Sequence, residues 1–506
     1  MKSKYIKLTI VCAFSGLFTA CTLNYDPVSA PTELTQGKQT DTTTAVLKDS
    51  AAASSQRTVL YQSLKDGQEY GYEDLLLLAD AHSDNAYGGT TGAEVVPFET
   101  NSIDASSSVL SRDWDSYMTN ISQANVLING IDPLLTEGKI TQADHDQWKA
   151  EGKIYRAMMM FEMARIWGSF PIITTIAKTI TSGNIKQVYP TYYPPKSTAK
   201  ECYTQIISDL TDALNYAPNF SQTNKTLLSK TVAEALLAKV YAEKPIQDYS
   251  KVIQYADMVR ATPGLQLDSN YSDLFGYNAA TKDCQARNTP ESILEYQYTS
   301  GNGNWVTWMF GRQLDNYDYY FTWAKWVTPS RDLINAFDQE GDTVRKNQSL
   351  VYYSCSWSNY YPANHYPFMY KIRSSVNSII KLRLADILLL EAEAYTSQGN
   401  LSGALALVNQ IRERAKVVDL ASSDVSTKSS MLNAVLNERR LELCFEGQRW
   451  FDLCRNGLVE SAMNSVYGKD SGRLSQINKF NSNSYLMPIP QTALDENSNL
   501  TQNPGY

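Results

Sequence analysis

Arg383–Lys416 reads RLADILLLEAEAYTSQGNLSGALALVNQIRERAK, and this stretch decides the fold. Apolar side chains recur at steps of three and four residues on both sides of a Gly-Asn pair at 399–400; they are Leu384, Ile387, Leu388, Ala392, Tyr395, Ala404, Leu405, Val408 and Ile411. This spacing predicts amphipathic α-helix, and a glycine followed by asparagine is typical of the break between two helices. The stretch therefore predicts a helix, a tight turn and a second helix that folds back on the first, as in a tetratricopeptide unit.

The same spacing recurs earlier in the chain. It predicts helices over Asp113–Ile131 and Gln147–Trp167, and a further pair over Glu201–Tyr216 and Ser229–Glu243. One helix pair cannot bury its apolar face alone, so several units must stack. The predicted fold class is all-α, a tetratricopeptide-like superhelix of helix pairs, with the helical scaffold over residues 110–260 and 375–465.

Residues 265–370 do not follow this helical spacing. Glu291–Tyr298 (ESILEYQY) alternates as a strand does, and glycine, asparagine and aromatic residues dominate the stretch after it. We therefore predict a large, irregular, loop-rich insertion with minor short strands, within a single domain over residues 56–506. Irregular segments on a rigid scaffold often carry function.

The N-terminal residues predict export and lipidation. Three lysines among the first seven residues precede an apolar run over 6–20, and the run leads into LFTAC at residues 17–21. This layout predicts a lipoprotein signal peptide over 1–20, with acylation of Cys21 as the membrane anchor. An ordinary secretory signal and a membrane-spanning helix are the alternatives, although a span needs about 20 apolar residues. Residues 21–55, rich in Thr, Ser, Ala and Asp, are predicted to form a flexible tether.

The charge of the chain argues against a polyanionic partner. The formal net charge is −8, and it becomes −11 without the three lysines of the leader. No basic stripe or arginine-rich tract interrupts this acidity. We therefore expect no nucleic-acid partner.

Residue patterns of catalysis, nucleotide binding and metal binding are missing. The chain has no phosphate-binding glycine-rich loop, no GxSxG elbow, no HExxH and no CxxC. Its three histidines, His82, His145 and His365, are far apart, and the five cysteines after residue 21 have no zinc-site or disulfide spacing. We predict no catalytic residue, no cofactor and no metal site, and we expect these cysteines to be buried thiols.

The densest chemical feature is a set of aromatic residues inside the insertion. The candidate ligand-binding residues are Trp305, Trp308, Tyr319, Tyr320, Trp323, Trp326, Trp357 and Tyr360. Asn, Asp and Arg lie between them, and flat rings beside polar groups suit sugars, which have apolar C–H faces and hydroxyl rims. A ring that buries about 80 Å² of apolar surface contributes on the order of 2 kcal/mol. Three such rings predict roughly micromolar to millimolar affinity, and we expect about half of the aromatic residues here to be core.

A second aromatic and polar patch lies at residues 80–87, DAHSDNAY, directly before a glycine pair. Two interpretations remain open for it. In one, Asp84, Asn85 and Tyr87 belong to the same sugar-binding surface as the insertion. In the other, the patch is an ordinary loop.

Five ordered motifs identify a relationship. They are AEGKIYRAMMMFEMARIWGSFPI at 150–172, IKLRLADILLLEAEAYTSQGNLSGALALVNQIRERA at 380–415, NERRLELCFEGQRWFDLCRNG at 437–457, LMPIP at 486–490 and QNPGY at 502–506. With these motifs, the chain resembles the SusD/RagB family of nutrient-binding outer-membrane lipoproteins of the Bacteroidetes. The resemblance runs over almost the whole mature chain.

The resemblance implies a helical tetratricopeptide scaffold whose loops bind glycan at the cell surface of the outer membrane. It implies a SusC-like TonB-dependent transporter as the partner. Binding residues would come from loops after the first helices and from the middle insertion, which matches Tyr87 and the segment from Trp305 to Trp326 by position. The signature residues are implied to be structural ion pairs and helix contacts; they are Arg383, Asp386, Glu438, Arg439, Glu446, Arg449 and Asp452.

Three functions are consistent with these observations. The first is a non-catalytic, cell-surface lipoprotein that captures a polysaccharide or oligosaccharide on aromatic rings and delivers it to the transporter. The abundance of tryptophan favours a neutral β-glucan as the ligand. The alternatives are a glycoside hydrolase, for which Asp315 and Asp318 lie near the aromatic residues, and an interaction scaffold that binds no saccharide.

Overall fold

The computed structural model describes residues 47–88, 94–285, 287–304, 319, 327–358 and 360–506. The helices are α1 Ser50–Asp66, α2 Asp74–Leu76, α3 Val96–Thr100, α4 Ser108–Thr136, α5 Gln142–Trp167, α6 Ile185–Val188, α7 Ala199–Ala213, α8 Lys230–Ala242, α9 Tyr249–Arg260, α10 Arg331–Glu340, α11 Thr343–Ser349, α12 Leu384–Gln398, α13 Leu401–Ala415, α14 Lys428–Leu443, α15 Arg449–Asn456, α16 Val459–Lys469 and α17 Gln491–Glu496. Turns of π-helix flank α2 over Glu69–Glu73 and Leu77–Ala81.

The strands are short and pair two by two. They are β1 Ala86–Tyr87, β2 Tyr277–Asn278, β3 Asp283–Cys284, β4 Ser292–Tyr296, β5 Thr328–Pro329, β6 Leu350–Tyr353, β7 Tyr366–Met369 and β8 Ile379–Arg383. The antiparallel pairs are β1 with β5, β2 with β3, β4 with β8, and β6 with β7. The mostly helical architecture confirms the predicted fold class.

The helix pair predicted around residues 399–400 is present as α12 and α13. Gly399 ends α12 in the left-handed region, with φ 88°, and its N–H donates to the carbonyls of Thr396 and Tyr395. The Asn400 side chain accepts from the N–H of Gly403 and so begins α13. A residue without a Cβ stops one helix and an amide side chain caps the next, so the reversal is a local consequence of the sequence.

Successive helices stack into one layered array. Helix α4 packs against α5, α5 against α7, α7 against α8, and α8 against α9. Helix α9 then packs directly against α12, although more than one hundred residues separate them in the chain. The helical stack is therefore continuous across the segment between α9 and α12.

The insertion holds more regular structure than the sequence predicted. Helices α10 and α11 and the β6–β7 hairpin lie in it. Helix α10 is capped by Ser330 and ends at Gly341, φ 67°, and it buries Leu333 and Phe337 in the core. A ten-residue helix is marginal by itself, and these two buried side chains stabilise it, which residue spacing alone did not reveal.

The N-terminal boundary also differs from the prediction. Helix α1 begins at Ser50, where the Asp49 carboxylate accepts a hydrogen bond of 2.8 Å from the N–H of Ala52. Its Ala53, Leu60 and Leu64 side chains are buried. The last residues of the predicted tether are therefore part of the folded domain, while the leader and Cys21 lie outside the described residues.

The signature acids and arginines form ion pairs inside the protein. Arg383 donates to Glu291 at 2.8 Å, to Glu442 at 2.5 Å and to Glu446 at 2.7 Å. Glu442 lies on α14 and Glu291 directly precedes β4, so the network joins the helical stack to the β4–β8 pair. All four side chains are almost fully buried.

The remaining signature residues have the same role. Arg439 pairs with Asp386 at 2.8 Å and with Asp452 at 2.9 Å, which links α14 to α12 and α15. Glu438 accepts from Arg345 at 2.6 Å and from Arg412 at 3.0 Å. The structural role implied for these residues is confirmed.

Two further features of the described chain concern its exterior and its thiols. Within the described ranges, no helix combines the length and the apolar character that a membrane crossing requires. Cys202, Cys355 and Cys444 are buried, as predicted, while Cys284 and Cys454 are partly exposed.

Candidate functional site

The patch at 80–87 and the insertion meet in the folded protein. Strand β1 pairs with β5, Ala86 opposite Pro329 and Tyr87 opposite Thr328. The Ser330 hydroxyl adds a hydrogen bond of 2.6 Å to the Asp84 carbonyl. Two segments that are far apart in the chain therefore meet in one region of the fold, and the residues that join them are buried.

A stacked pair of tyrosines lies at the centre of this region. The Tyr87 and Tyr360 rings are 4.4 Å apart between centroids and 18° from parallel. We call this pair the tyrosine base. The Tyr87 hydroxyl donates to Asp470 at 2.5 Å, and the Tyr360 hydroxyl donates to Glu99 at 2.7 Å. These bonds hold both rings in place from loops on either side.

The tyrosine base is sealed from solvent. Tyr87 is 0% exposed and Tyr360 is 4% exposed. Burial raises the pKa of Tyr87 to about 12 and also raises the pKa of Tyr360, so both hydroxyls are neutral donors. The structure corrects the predicted role of these two residues, because their faces stack on each other rather than on a ligand.

Asp84 and Asn85 are likewise internal. Arg449 donates two hydrogen bonds of 2.8 Å to the Asp84 carboxylate, and Arg440 donates to the Asn85 side chain at 3.0 Å. Burial disfavours the Asp84 carboxylate, but the Arg440 and Arg449 guanidiniums outweigh burial and hold its pKa well below the usual range. The predicted ligand role of Asp84 and Asn85 is therefore corrected to a structural one.

Asp80, the first residue of the same patch, holds the turn between α14 and α15 by hydrogen bonds. The Asp80 carboxylate accepts from the N–H groups of Phe445, at 2.9 Å, and Gly447, at 3.2 Å. His82 is buried with its ring 4.2 Å from the Trp450 ring, and burial lowers its pKa to about 4. The polar side chains of residues 80–87 thus make their contacts inside the protein.

Two side chains of the insertion reach solvent, one exposed and one half-buried. Tyr319 is 44% exposed, and its carbonyl accepts a hydrogen bond of 3.2 Å from the N–H of Ser356. The neighbouring Trp357 is half-buried, with its ring edge-to-face against Tyr366 at 4.8 Å and Phe368 at 6.0 Å. The hairpin β6–β7 therefore orients an indole beside an exposed phenol.

An arginine that the sequence did not single out belongs to this region. The Arg331 guanidinium lies 4.5 Å from the centre of the half-buried Tyr361 ring and donates to the Tyr87 hydroxyl at 3.2 Å. Its side chain is 39% exposed. No pattern in the sequence marks Arg331, because its partners come from three separate loops.

The other candidate residues are not covered by the described ranges. Trp305, Trp308, Tyr320, Trp323 and Trp326 lie outside the described residues. We call residues 305–326 the aromatic segment. Asp315 and Asp318, the acids considered for hydrolysis, fall in the same undescribed stretch. Among the residues that the structure does describe, no group of three or more His, Cys, Asp or Glu side chains is placed to hold a metal ion.

Comparison with known protein families gives two matches. Residues 351–506 match the model described as the SusD family. Residues 49–242 match the model described as "Starch-binding associating with outer membrane". Together the two matches span more than half of the chain, and they cover both ends of the helical stack.

Curated relatives cover most of the chain. SusD-like protein P2 of Formosa agariphila is 28% identical over 394 residues, which are 71% of this chain and 74% of that protein. A SusD-like protein of Bacteroides ovatus is 25% identical over 431 residues, 76% of this chain and 72% of that protein. Each alignment therefore spans scaffold and insertion together.

Solved structures share the fold. A SusD homolog from Bacteroides thetaiotaomicron matches with a TM-score of 0.72 at 21% identity, over 91% of this chain and 98% of that one. A laminarin-binding SusD-like protein matches with a TM-score of 0.70 at 22% identity, over 91% of this chain and 100% of that one. By its helical stack, its ordered motifs and these matches, the chain belongs to the SusD/RagB family.

Proposed function

We propose that this protein is a non-catalytic, cell-surface glycan-binding lipoprotein that captures a neutral glucan and passes it to a TonB-dependent transporter. The ligand lies on the surface formed by Tyr319, Trp357 and Arg331 together with the aromatic segment. The observation that carries the proposal is a half-buried Trp357, oriented by Tyr366, in the segment whose backbone bonds to the exposed Tyr319.

The geometry suits capture rather than chemistry. Edge-to-face contacts with Tyr366 and Phe368 fix the Trp357 ring before the ligand arrives, which lowers the entropic cost of binding. The Arg331 guanidinium supplies donors for sugar hydroxyls. The carboxylates of Glu99 and Asp470 already accept hydrogen bonds from the two base tyrosines. These two groups therefore do not form a free acid–base pair for hydrolysis.

The relatives favour a neutral glucan as the ligand class. One family description names starch, and one matching structure is a laminarin-binding protein. Both are neutral glucans, and the net charge of −8 disfavours polyanionic polysaccharides by repulsion. For the present chain we therefore propose a neutral glucan as the ligand and assign no glycosidic linkage.

The location and the partner rest on the sequence and the family. The LFTAC stretch predicts lipidation at Cys21, and one matched family description includes association with the outer membrane. The SusC-like transporter is the partner that the family resemblance implies. Replacement of Cys21→Ala is expected to move the protein from the membrane fraction to the soluble fraction after cell lysis, whereas Cys284→Ala leaves it in place.

Affinity gels that contain laminarin or starch test the binding site. Wild-type protein is expected to be retarded in at least one gel, and Trp357→Ala to lose about 1–2 kcal/mol of binding, which raises the dissociation constant roughly five- to thirtyfold. Trp305→Ala, Trp308→Ala and Trp323→Ala are expected to weaken retardation as well. Tyr216→Ala is the matched control, because Tyr216 is 56% exposed on the scaffold.

Two results would contradict the proposal. Equal migration of wild type and all four tryptophan variants would remove the aromatic surface as the binding site. Release of reducing sugar from the retained glucan by purified protein, abolished by Asp315→Asn or Asp318→Asn, would make the protein a hydrolase instead.

A further inference from the structure

A concave feature lies next to the loop that follows Glu99, and it has no part in the proposed capture of glucan on aromatic rings. Loops 101–106 and 478–484, with Gln491 and Tyr506, enclose an open pocket of about 680 Å³. We call it the polar pocket. Its volume lies within the range of ligand sites, about 300–1,000 Å³, but amides and hydroxyls line it instead of apolar side chains.

The walls of the polar pocket are held rigidly. The Asn101 amide donates to the Asn478 carbonyl at 2.9 Å, and the Asn478 amide donates back to the Asn101 carbonyl at 3.0 Å. The Asn481 side chain caps the following turn by accepting from the N–H of Asn483 at 2.8 Å. The N–H of Gln491 closes the far wall on the Ala105 carbonyl, at 2.8 Å. The pocket is therefore formed before any ligand binds.

Several polar groups of the pocket have unused bonding capacity. Within the described chain, the exposed Asn483 side-chain amide makes no hydrogen bond and the Lys479 ammonium makes no ion pair. The Tyr506 ring is 42% exposed and is anchored through its hydroxyl to the Leu486 carbonyl at 3.2 Å. An anchored aromatic face beside a free amide is the combination that a sugar ring uses.

The electrostatics of the lining indicate an uncharged ligand. Among the lining residues, Asp104 and Lys479 are the groups that are charged at neutral pH, and their charges are opposite. The side chains that line the pocket therefore carry no net charge. Its amide lining suits a hydrated, neutral, hydroxyl-rich molecule better than a phosphate or an acidic peptide.

The polar pocket lies close to the residues that hold the tyrosine base. Glu99, which accepts the Tyr360 hydroxyl, also accepts the N–H of Leu474 at 2.9 Å. The Thr100 carbonyl then accepts the N–H of Ile477, and the residue that follows each of these two lines the pocket. Two residues of chain span at most about 7 Å, so the pocket wall begins close to Glu99.

We propose that the polar pocket binds a second stretch of the same neutral polysaccharide that the aromatic surface holds. This inference rests on the proposed function. Tyr506 stacks on a sugar ring, and Asn483 and Lys479 donate to its hydroxyls. A polymer long enough to reach both places gains affinity through the second contact, whereas a short oligosaccharide fills the aromatic surface alone.

Ligands of different chain length distinguish the contributions of the two sites. Affinities are measured for laminarin and laminaritriose, or for starch and maltotriose, whichever polymer the wild type retains. Tyr506→Ala and Asn483→Ala are each expected to weaken binding of the polymer about five- to tenfold and to leave binding of the trisaccharide unchanged. Trp357→Ala is expected to weaken both. Ile477→Ala is the control, because Ile477 is 67% exposed beside the pocket and does not line it.

The outcomes are distinct. Unchanged polymer affinity in both pocket variants, with loss in Trp357→Ala, overturns the pocket and leaves the proposed function intact. An equal loss for polymer and trisaccharide also overturns the pocket as a second contact. Absence of glucan binding by the wild type overturns the proposed function itself. Circular dichroism and the melting midpoint confirm that each variant is folded, and both substitutions are at exposed positions.

Discussion

At the residue scale, buried charge is the feature that separates structural from functional side chains in this protein. Asp84 accepts a bidentate pair of bonds from Arg449, and Arg440 lies 3.5 Å away. Removing one partner of such a group leaves the other charges buried without compensation. The segment 80–87 is therefore sensitive to substitution for reasons of folding.

Asp84→Ala is expected to lower the free energy of unfolding by about 3–5 kcal/mol, because two guanidiniums lose their buried counter-charge. Urea denaturation measures the change. Glu137→Ala is the control: its carboxylate is 54% exposed and pairs with Lys139 at 2.7 Å, so a change within about 1 kcal/mol is expected. Similar small changes in both variants would show that the Asp84 cluster does not stabilise the fold.

A single buried acid gives the stability a defined pH dependence. Glu73 is 1% exposed, and burial, followed by the neighbouring Asp74 and Glu69, raises its pKa from 4.5 to about 9. Between these two values the folded state holds a proton that the unfolded state has released, so stability falls as the pH rises. This is the opposite direction from the arginine-paired Asp84.

Glu73→Gln keeps the shape of the side chain and removes its titratable carboxyl group. The unfolding free energy of the wild type is expected to decline between pH 5 and pH 8 by on the order of 2–4 kcal/mol more than that of Glu73→Gln. Urea unfolding at several pH values measures the two slopes. Parallel pH profiles would mean that Glu73 is already ionised in the folded protein.

At the scale of elements, the reversals between helices depend on single backbone positions. Gly399 has φ 88°, and a Cβ there would meet only the end of the Lys428 side chain at 3.4 Å. A substitution at this position is therefore strained by the backbone and not by crowding. Gly468, inside α16, has open space around its Cβ position and an ordinary φ.

Replacing these two glycines with alanine is expected to change the unfolding free energy in opposite directions. Gly399→Ala is expected to lower the unfolding free energy by about 1 kcal/mol, since alanine disfavours the left-handed region. Gly468→Ala is expected to raise it by up to about 1 kcal/mol, since alanine favours helix. Chemical denaturation of both variants checks the signs, and stabilisation by Gly399→Ala would contradict the assigned end of α12.

At the scale of the whole molecule, the helical stack is continuous although the insertion interrupts it in the chain. Helices α9 and α12 pack directly on each other, and the buried network around Arg383 and Glu442 ties the later helices to β4 and β8. The residues that form these contacts are not the residues proposed to contact the ligand.

Replacement of residues 305–318 by glycine and serine of equal length is expected to keep the helical circular dichroism signal and to shift the melting midpoint by only a few degrees. Glucan retention is expected to be lost, because tryptophans of the proposed surface are removed. The same replacement at 421–424, an exposed turn between α13 and α14, serves as the control and should retain glucan. Unfolding of the first variant would show that the insertion is part of the scaffold.

The sequence predicted six of the described helices, and the family resemblance implied the structural role of the signature residues. Helix spacing and caps act over a few residues, so the reversal at residues 399–400 and the bounds of these six helices, to within five residues, followed from local pattern. Helix α10 was missed because two buried contacts, and not its length, stabilise it. The first turn of α1 was assigned to the tether because serine and alanine are common to both.

Only the tertiary structure decided which aromatic and polar residues face solvent. Tyr87 and Tyr360 looked like ligand platforms by composition, yet they stack on each other and are buried, while Tyr319 is 44% exposed and Trp357 is half-buried. A tyrosine ring presents the same kind of apolar face to a sugar and to another tyrosine. The group that covers it is set by residues distant in the chain, so that choice is made by the assembled fold.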